Sequence, residues 1–226
     1  MPLPQQIRND VTSYVLKHVV PKTVRPRPRT AMEWFMDQFS FIPNPALQRH
    51  LAEAMYQARF AGRLREALDL PGNFNNLFVK SQIQLYASIF EALIDYFLDS
   101  HKTHPIVQSL LQERVFKAVR HALASNTRIM CTDTTGSYDL VPCREMLRTR
   151  NLKEIQFAKR LSTAVTFGLI PANDAPFVER LYASRNSIHL INSAARAFTP
   201  DSAESSDAFR ALFRFLTHLR AWTPPP

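Results

Sequence analysis

Residues 75–100 read NNLFVKSQIQLYASIFEALIDYFLDS, and apolar side chains recur in this stretch at intervals of three and four residues. That spacing puts them on one stripe of an α-helix, which has about 3.6 residues per turn. The stripe consists of Phe78, Leu85, Ile89, Phe90, Leu93, Ile94 and Phe97. The pattern predicts a long helix at the centre of the hydrophobic core.

The same periodicity continues over much of the chain, and we expect further helices on that basis. They fall at about 5–19, 44–70, 104–125, 151–167, 174–188 and 206–222, with a brief apolar stripe at 32–39. Asn44 followed by Pro45 is typical of a helix N-cap with proline at the first helical position. Gly168, with Pro171 shortly after it, is typical of a helix end.

The helical period is lost between Thr127 and Cys143, where Thr135-Gly136 is a turn signal between two short apolar runs. We therefore predict a loop or a small β-hairpin at 127–143. With about seven helices and almost no sustained alternation elsewhere, the sequence predicts an all-α helical bundle.

A basic, proline-rich stretch, VPKTVRPRPRT, occupies residues 20–30. Proline disfavours helix both at its own position and at the preceding residue, so we expect this stretch to be an extended linker. We divide the chain into an N-terminal helical appendage, residues 1–72, and a helical bundle, residues 73–226.

Composition excludes several classes of protein. Of 226 residues, 46% are hydrophobic and 21% charged, unlike disordered or membrane-spanning chains. Four glycines argue against a Gly-rich phosphate loop, and two cysteines are too few for a disulfide framework. The sequence contains no Cys/His array, so we expect neither a metal nor another cofactor. Without a leader or a membrane-length apolar run, we expect a cytoplasmic protein that does not enter the membrane.

Positive charge is concentrated at the two ends of the chain. The formal net charge is +9. Residues 1–72 carry 10 basic and 6 acidic side chains, residues 73–142 carry 6 of each, and residues 143–226 carry 12 and 7. Such an excess favours an anionic partner, and nucleic acid is the first class to consider.

Two basic stretches are candidate phosphate contacts. One consists of Arg144, Arg148, Arg150, Lys153, Lys159 and Arg160, and the other of Arg25, Arg27 and Arg29 in the linker. The alternative for the first stretch is a solvated face, and the alternative for the second is a strap between helices.

The segment LYASRNSIHL, residues 181–190, carries the group most suited to chemistry. Arg185 and His189 are four residues apart, so on a helix they share one face. A neutral histidine can take the proton of an RNA 2′-hydroxyl while an arginine offsets the charge that builds on the phosphorus. Asn186 can position the phosphate, and Tyr182, one turn earlier, can stack on a base or offer its hydroxyl.

The same residues also have purely structural interpretations. Arg185 and His189 can each bond a neighbouring carbonyl or carboxylate. Glu91 and Asp95 lie one turn apart in the central helix, where they either pair with an arginine such as Arg185 or face solvent.

Two stretches together resemble the HEPN superfamily (higher eukaryotes and prokaryotes nucleotide-binding). They are QLYASIFEALIDYFL at 84–98 and LYASRNSIHL at 181–190, which a closing apolar helix follows. The resemblance extends over about residues 74–222. Its specific part is the group Arg185, Asn186 and His189, which is similar to the Arg-Asn-x-x-x-His signature of that superfamily.

The resemblance implies a bundle of four or five helices that forms a homodimer. The two motifs then face each other across the twofold axis in a metal-independent endoribonuclease site, often in a toxin or an antiviral defence protein with an antitoxin or defence-system partner. Here three residues separate arginine from histidine, whereas four to six are usual in the superfamily. The alternative is a non-catalytic nucleic-acid-binding or protein-interaction module.

Overall fold

The computed structural model describes residues 5–19, 31–68, 72–118, 129–133, 136–140, 143–187 and 202–225. Within these ranges there are eight α-helices: α1 Gln5–Tyr14, α2 Ala31–Gln38, α3 Pro45–Leu68, α4 Gly72–Ser100, α5 Pro105–Leu111, α6 Phe157–Thr166, α7 Ala175–Ser187 and α8 Ser202–Ala221. There are also four short strands: β1 Gln112–Ala118, β2 Ile129–Asp133, β3 Gly136–Leu140 and β4 Cys143–Thr149. The strands form two antiparallel pairs, β1 with β4 and β2 with β3. The predicted fold class, all-α with a small β-hairpin, is confirmed.

Helix α4 lies at the centre of the core, as its stripe predicts. It packs against α3, α6, α7 and α8, and Phe90, Leu93 and Ile94 on it are almost completely buried. Burial of one such side chain contributes about 1.5–3 kcal/mol relative to exposure. Phe35 of α2 and Met55 of α3 belong to the same core. The core thus includes residues from both sides of the predicted domain boundary at residue 72.

Two predicted helix boundaries are confirmed by their capping geometry. The Asn44 side-chain oxygen accepts hydrogen bonds from the backbone N–H groups of Ala46 and Leu47, both at 3.1 Å, at the start of α3. At the C-terminal end of α6, Gly168 has φ = 74°, a left-handed conformation that favours glycine.

The helix predicted over 104–125 is wrong beyond Leu111. Helix α5 stops there, and residues 112–118 form strand β1, which pairs with β4 over its whole length. Val115 fits the helical period, but β-branched Val115 and aromatic Phe116 both favour strands. The partner strand supplies the backbone hydrogen bonds that a continuing helix would have made. Val119 and Leu123, also placed on that helix, lie outside the described residues.

The β region is larger than predicted, and the following helix is shorter. Hairpin β2–β3 lies within the predicted 127–143, but the β1–β4 pair extends beyond those bounds. The helix expected from Asn151 begins only at Phe157. The Asn151 side chain caps a single 3-10 turn instead, by accepting a hydrogen bond from the Lys153 N–H at 3.1 Å, and Ile155 is extended. The Asn151 cap therefore begins a single turn rather than the predicted helix.

The helix predicted over 5–19 is α-helical only over α1, and Val15–Val19 form a π-helix. The apolar stripe of α1 is exposed. Ile7, Val11 and Tyr14 are each between 44% and 47% exposed. None of the helices described here is both long enough and apolar enough to cross a membrane.

Candidate functional site

Arg185 lies near the C-terminal end of α7 and forms an ion pair with Glu91 of the central helix α4. Arg185 Nη1 donates to Glu91 Oε2, and the two side chains are 32% and 21% exposed. Of the two alternatives for Glu91, pairing with Arg185 is therefore confirmed. The pair fixes one end of the candidate site to the central helix α4.

Glu91 has a second arginine partner, Arg160 of α6. Arg160 Nη2 donates to Glu91 Oε1 at 2.9 Å, while its Nη1 donates to Asp95, one turn further along α4. The Arg160 side chain is only 7% exposed. Two carboxylates and two guanidinium groups thus form one chain of ion pairs, Asp95, Arg160, Glu91 and Arg185, that joins α4 to both α6 and α7.

Burial and ion pairing shift the pKa values of these groups in opposite directions. Burial raises the pKa of the Asp95 carboxyl above its ordinary value, against the hydrogen bond and charge of Arg160. Burial lowers the pKa of Arg160, but its hydrogen bonds and charge interactions with Asp95 and Glu91 outweigh burial and leave that pKa raised. Arg160 is therefore firmly protonated.

An open pocket of about 380 Å³ lies beside these ion pairs. Ser88, Glu91, Asp95, Lys153 and Arg160 contribute its polar lining. Lys153 and Arg160, two of the predicted nucleic-acid contacts, therefore line the same pocket as the carboxylate that holds Arg185. The lining has two positive and two negative side chains, so its fixed charge is balanced.

Tyr182 is half-buried and packs within the protein. Its ring stacks on Phe157 of α6, with ring centroids 3.9 Å apart and planes 15° from parallel. Arg185 Cζ lies 5.5 Å from the centroid of the Tyr182 ring. Tyr182 thus supports Arg185 from the same helix. Its predicted role as a base-stacking residue stays a prediction.

Asn186 is exposed at the position after Arg185. One position before Arg185, the Ser184 hydroxyl donates to Glu204 Oε1 at 2.8 Å, which ties the end of α7 to the beginning of α8. Helix α7 is described as far as Ser187. His189 lies outside the described residues, so the shared face of Arg185 and His189 stays a prediction.

The predicted basic contacts have different surroundings. Arg144 and Arg148 are exposed on β4, and Arg148 pairs with Glu154 at 3.1 Å. Arg150 is 20% exposed and pairs with Glu113 at 3.5 Å. Arg25, Arg27 and Arg29 lie outside the described residues. Within the described part, the basic stretch is therefore interspersed with carboxylates.

Comparisons with protein family models, with curated proteins and with solved structures found no match to this chain. Function is therefore inferred from the residues themselves. Among the described residues, no group of three His, Cys, Asp or Glu side chains could hold a metal ion. What the site offers is guanidinium donors, one ammonium group and the carboxylates that orient them.

Proposed function

We propose that the protein is a metal-independent endoribonuclease of HEPN type whose site contains Arg185, Asn186 and His189. The observation that carries this proposal is the attachment of Arg185 to Glu91, beside an open pocket lined by Lys153 and Arg160. A catalytic arginine has to be held in place before the substrate arrives, since preorganised charge is what stabilises a transition state.

The ion pair leaves Arg185 able to bind phosphate. A guanidinium has five N–H donors in a planar fork, and the bond to Glu91 uses Nη1. Donors on Nη2 and Nε can still approach a phosphate oxygen. Tyr182 supports the guanidinium from the preceding turn, so its orientation is restrained by both a charge and a ring.

The proposed reaction needs only side-chain groups. Neutral His189 removes the proton of a ribose 2′-hydroxyl, and the 2′-oxygen attacks the adjacent phosphorus. Arg185 stabilises the charge on the phosphorane, and the bond to the 5′-oxygen breaks. The leaving oxygen takes up a proton, and the products are a 2′,3′-cyclic phosphate and a 5′-hydroxyl end. Asn186 positions the phosphate.

The resemblance to the HEPN superfamily also bears on the compartment, the oligomeric state and the partners of the protein. It supports a cytoplasmic homodimer with RNA as the substrate and with an antitoxin or defence-system protein as a further partner. In that arrangement two Arg185/His189 pairs face one another, and each Glu91 fixes the arginine of its own chain.

The test is RNA cleavage in the presence of a chelator, with matched variants. His189→Ala and Arg185→Gln should each lower the rate about 100-fold or more, in line with the loss of a general base or an oxyanion-stabilising donor. His50→Ala and Arg180→Gln, at exposed positions on α3 and α7, are controls for loss of the same residue types. Cleavage by His189→Ala at the rate of the wild type would rule out the proposal.

One observation favours the alternative, a non-catalytic RNA-binding or interaction module. Glu91 neutralises the charge of Arg185, which would suit an arginine with a structural role. In that case His189→Ala changes stability but not RNA binding, and no chelator-resistant cleavage is seen with any variant.

A further inference from the structure

A second pocket, of about 230 Å³, lies between helices α3, α4 and α8 and shares no lining residue with the pocket beside Glu91. Four arginines line it: Arg59, Arg63, Arg65 and Arg210. Glu66 is the one carboxylate among its described lining residues. Glu66 pairs with Arg63, and Asp207 pairs with Arg210, so the positive excess of this pocket comes from Arg59 and Arg65. The pocket beside Glu91 is balanced instead.

The arginines of this pocket have hydrogen-bond donors for which the surrounding described residues offer no acceptor. Arg63 Nε and Arg65 Nη1 are buried and meet no hydrogen-bond acceptor in the described part of the chain. Arg59 packs over the ring of Phe209, with Cζ 4.3 Å from the ring centroid, and burial lowers the pKa of Arg59. Native proteins rarely leave buried donors unpaired, so each one indicates a missing acceptor. An anion supplies such acceptors to several guanidinium groups at once.

The pocket also contains one buried acceptor. Gln82 is 6% exposed, and its Nε2 donates to the Ala58 carbonyl at 3.0 Å, which assigns the other amide atom as oxygen. No described donor reaches Gln82 Oε1 with hydrogen-bond geometry, while burial raises the pKa of Tyr86 more than a side-chain interaction with Gln82 lowers it. The close approach of Gln82 to α3 depends on Gly62, where a Cβ atom would lie 2.5 Å from Nε2.

We infer that this arginine pocket binds a terminal phosphate group. A phosphate monoester is an anion with three strong acceptor oxygens, and below its second pKa of about 6 it also carries a P–OH group that can donate a hydrogen bond. It therefore matches both the unpaired guanidinium donors and the unpaired Gln82 Oε1. The volume is below the roughly 300–1,000 Å³ of pockets that enclose drug-sized ligands, so the phosphate end enters and the rest of the ligand stays outside.

The direct experiment is calorimetric titration of the full chain with inorganic phosphate at pH 6.5 and constant ionic strength. Arg59→Gln and Arg65→Gln should each weaken phosphate binding about tenfold or more, since each removes a charge-assisted hydrogen-bond donor. Arg49→Gln makes the same charge change at an exposed position of α3 and should leave binding unchanged. Gln82→Met should abolish a preference for phosphate over sulfate, because sulfate has no proton to donate at this pH.

The source of the phosphate is distinguished by two RNAs made with 2′-O-methyl riboses, which cannot be cleaved through the 2′-oxygen. Tighter binding of the 5′-phosphorylated RNA than of the 5′-hydroxyl RNA, lost in Arg65→Gln, identifies an RNA end. Equal binding of both RNAs, with inorganic phosphate still bound, identifies a small phosphorylated molecule. The inference is overturned if the wild type does not bind inorganic phosphate, or if Arg59→Gln and Arg65→Gln bind it as Arg49→Gln does. None of these outcomes depends on cleavage by Arg185 and His189.

Discussion

Glu91 and Arg185 are 94 residues apart in the sequence and form a direct ion pair between helices α4 and α7. Because Glu91 also accepts from Arg160 of α6, one carboxylate orients two guanidinium groups from two different helices. Glu91 is only 21% exposed, so its ion pairs should contribute to the stability of the fold and also fix the position of Arg185. Substitutions can separate these two effects.

Glu91→Gln should destabilise the protein by about 2–4 kcal/mol, since it leaves the nearly buried Arg160 with one carboxylate partner fewer and leaves Arg185 without its partner. Urea denaturation followed by circular dichroism measures this change. Glu154→Gln is the matched control: it removes the exposed partner of Arg148 and should cost less than about 0.5 kcal/mol. Equal effects of the two substitutions would show that the Glu91 ion pairs contribute no more than a surface pair.

The activity of Glu91→Gln distinguishes positioning from binding. If Arg185 is held for catalysis by Glu91, this variant should lower kcat for RNA cleavage about tenfold or more, with a smaller change in KM, since the contact orients Arg185 and does not touch the substrate. Glu91→Asp should recover part of the loss. A kcat equal to that of the wild type in Glu91→Gln, measured under conditions where the variant is folded, would contradict a positioning role.

Asp95 provides a prediction about pH. Burial raises the pKa of Asp95 in the folded protein above its ordinary value of 3.8, so the folded state binds this proton more tightly than the unfolded state. The stability that Asp95 contributes is therefore fully present below pH 3.8 and is lost as the pH rises through the raised pKa.

The difference in unfolding free energy between the wild type and Asp95→Asn isolates this group, because asparagine does not titrate. It should decrease as the pH rises above 3.8 and become constant once Asp95 is ionised in both states. Denaturant titrations between about pH 4 and 6.5 measure it. An increase over that interval would show that Arg160 lowers the pKa of Asp95 more than burial raises it.

Much of the fold could be predicted because most helices are defined locally. The stripe of α4, the Asn44 cap and the Gly168 end are properties of short stretches, and all three are confirmed. The local sequence does not predict strand β1, because Val115 also fits a helical stripe and the pairing with β4 is set by residues about 30 positions away.

The site was predictable in part for the same reason. The sequence predicts the Glu91 and Arg185 pair as one of two alternatives, but it places Arg160 among basic neighbours and does not predict its ion pairs with Glu91 and Asp95. A local signal existed: Arg160 falls in register with Phe157, Leu161 and Ala164, the buried face of α6. An arginine on a buried face has to pair with a carboxylate, and Glu91 and Asp95 lie one turn apart among the three carboxylates of the central helix.

Asn44→Ala should destabilise the protein by about 1 kcal/mol, because the backbone N–H groups of Ala46 and Leu47 lose their side-chain acceptor. Asn44→Asp should keep most of the stability, since aspartate accepts the same bonds and also favours the helix N-terminus. Chemical denaturation measures both. A loss as large in Asn44→Asp as in Asn44→Ala would mean that the cap is not what these substitutions remove.

Gly168→Ala should destabilise the protein by about 1 kcal/mol, for a reason located in the backbone. Gly168 has φ = 74°, where an L-residue with a Cβ atom is strained, whereas the added Cβ would meet Trp222 Nε1 at an ordinary 3.6 Å. Gly168→Asn should cost less than Gly168→Ala, since asparagine tolerates the left-handed region better than alanine, although its side chain is larger. A larger loss for asparagine would instead show that crowding against Trp222 outweighs backbone strain. Thermal and denaturant unfolding of the two variants, measured side by side, therefore distinguish backbone strain from packing at this helix end.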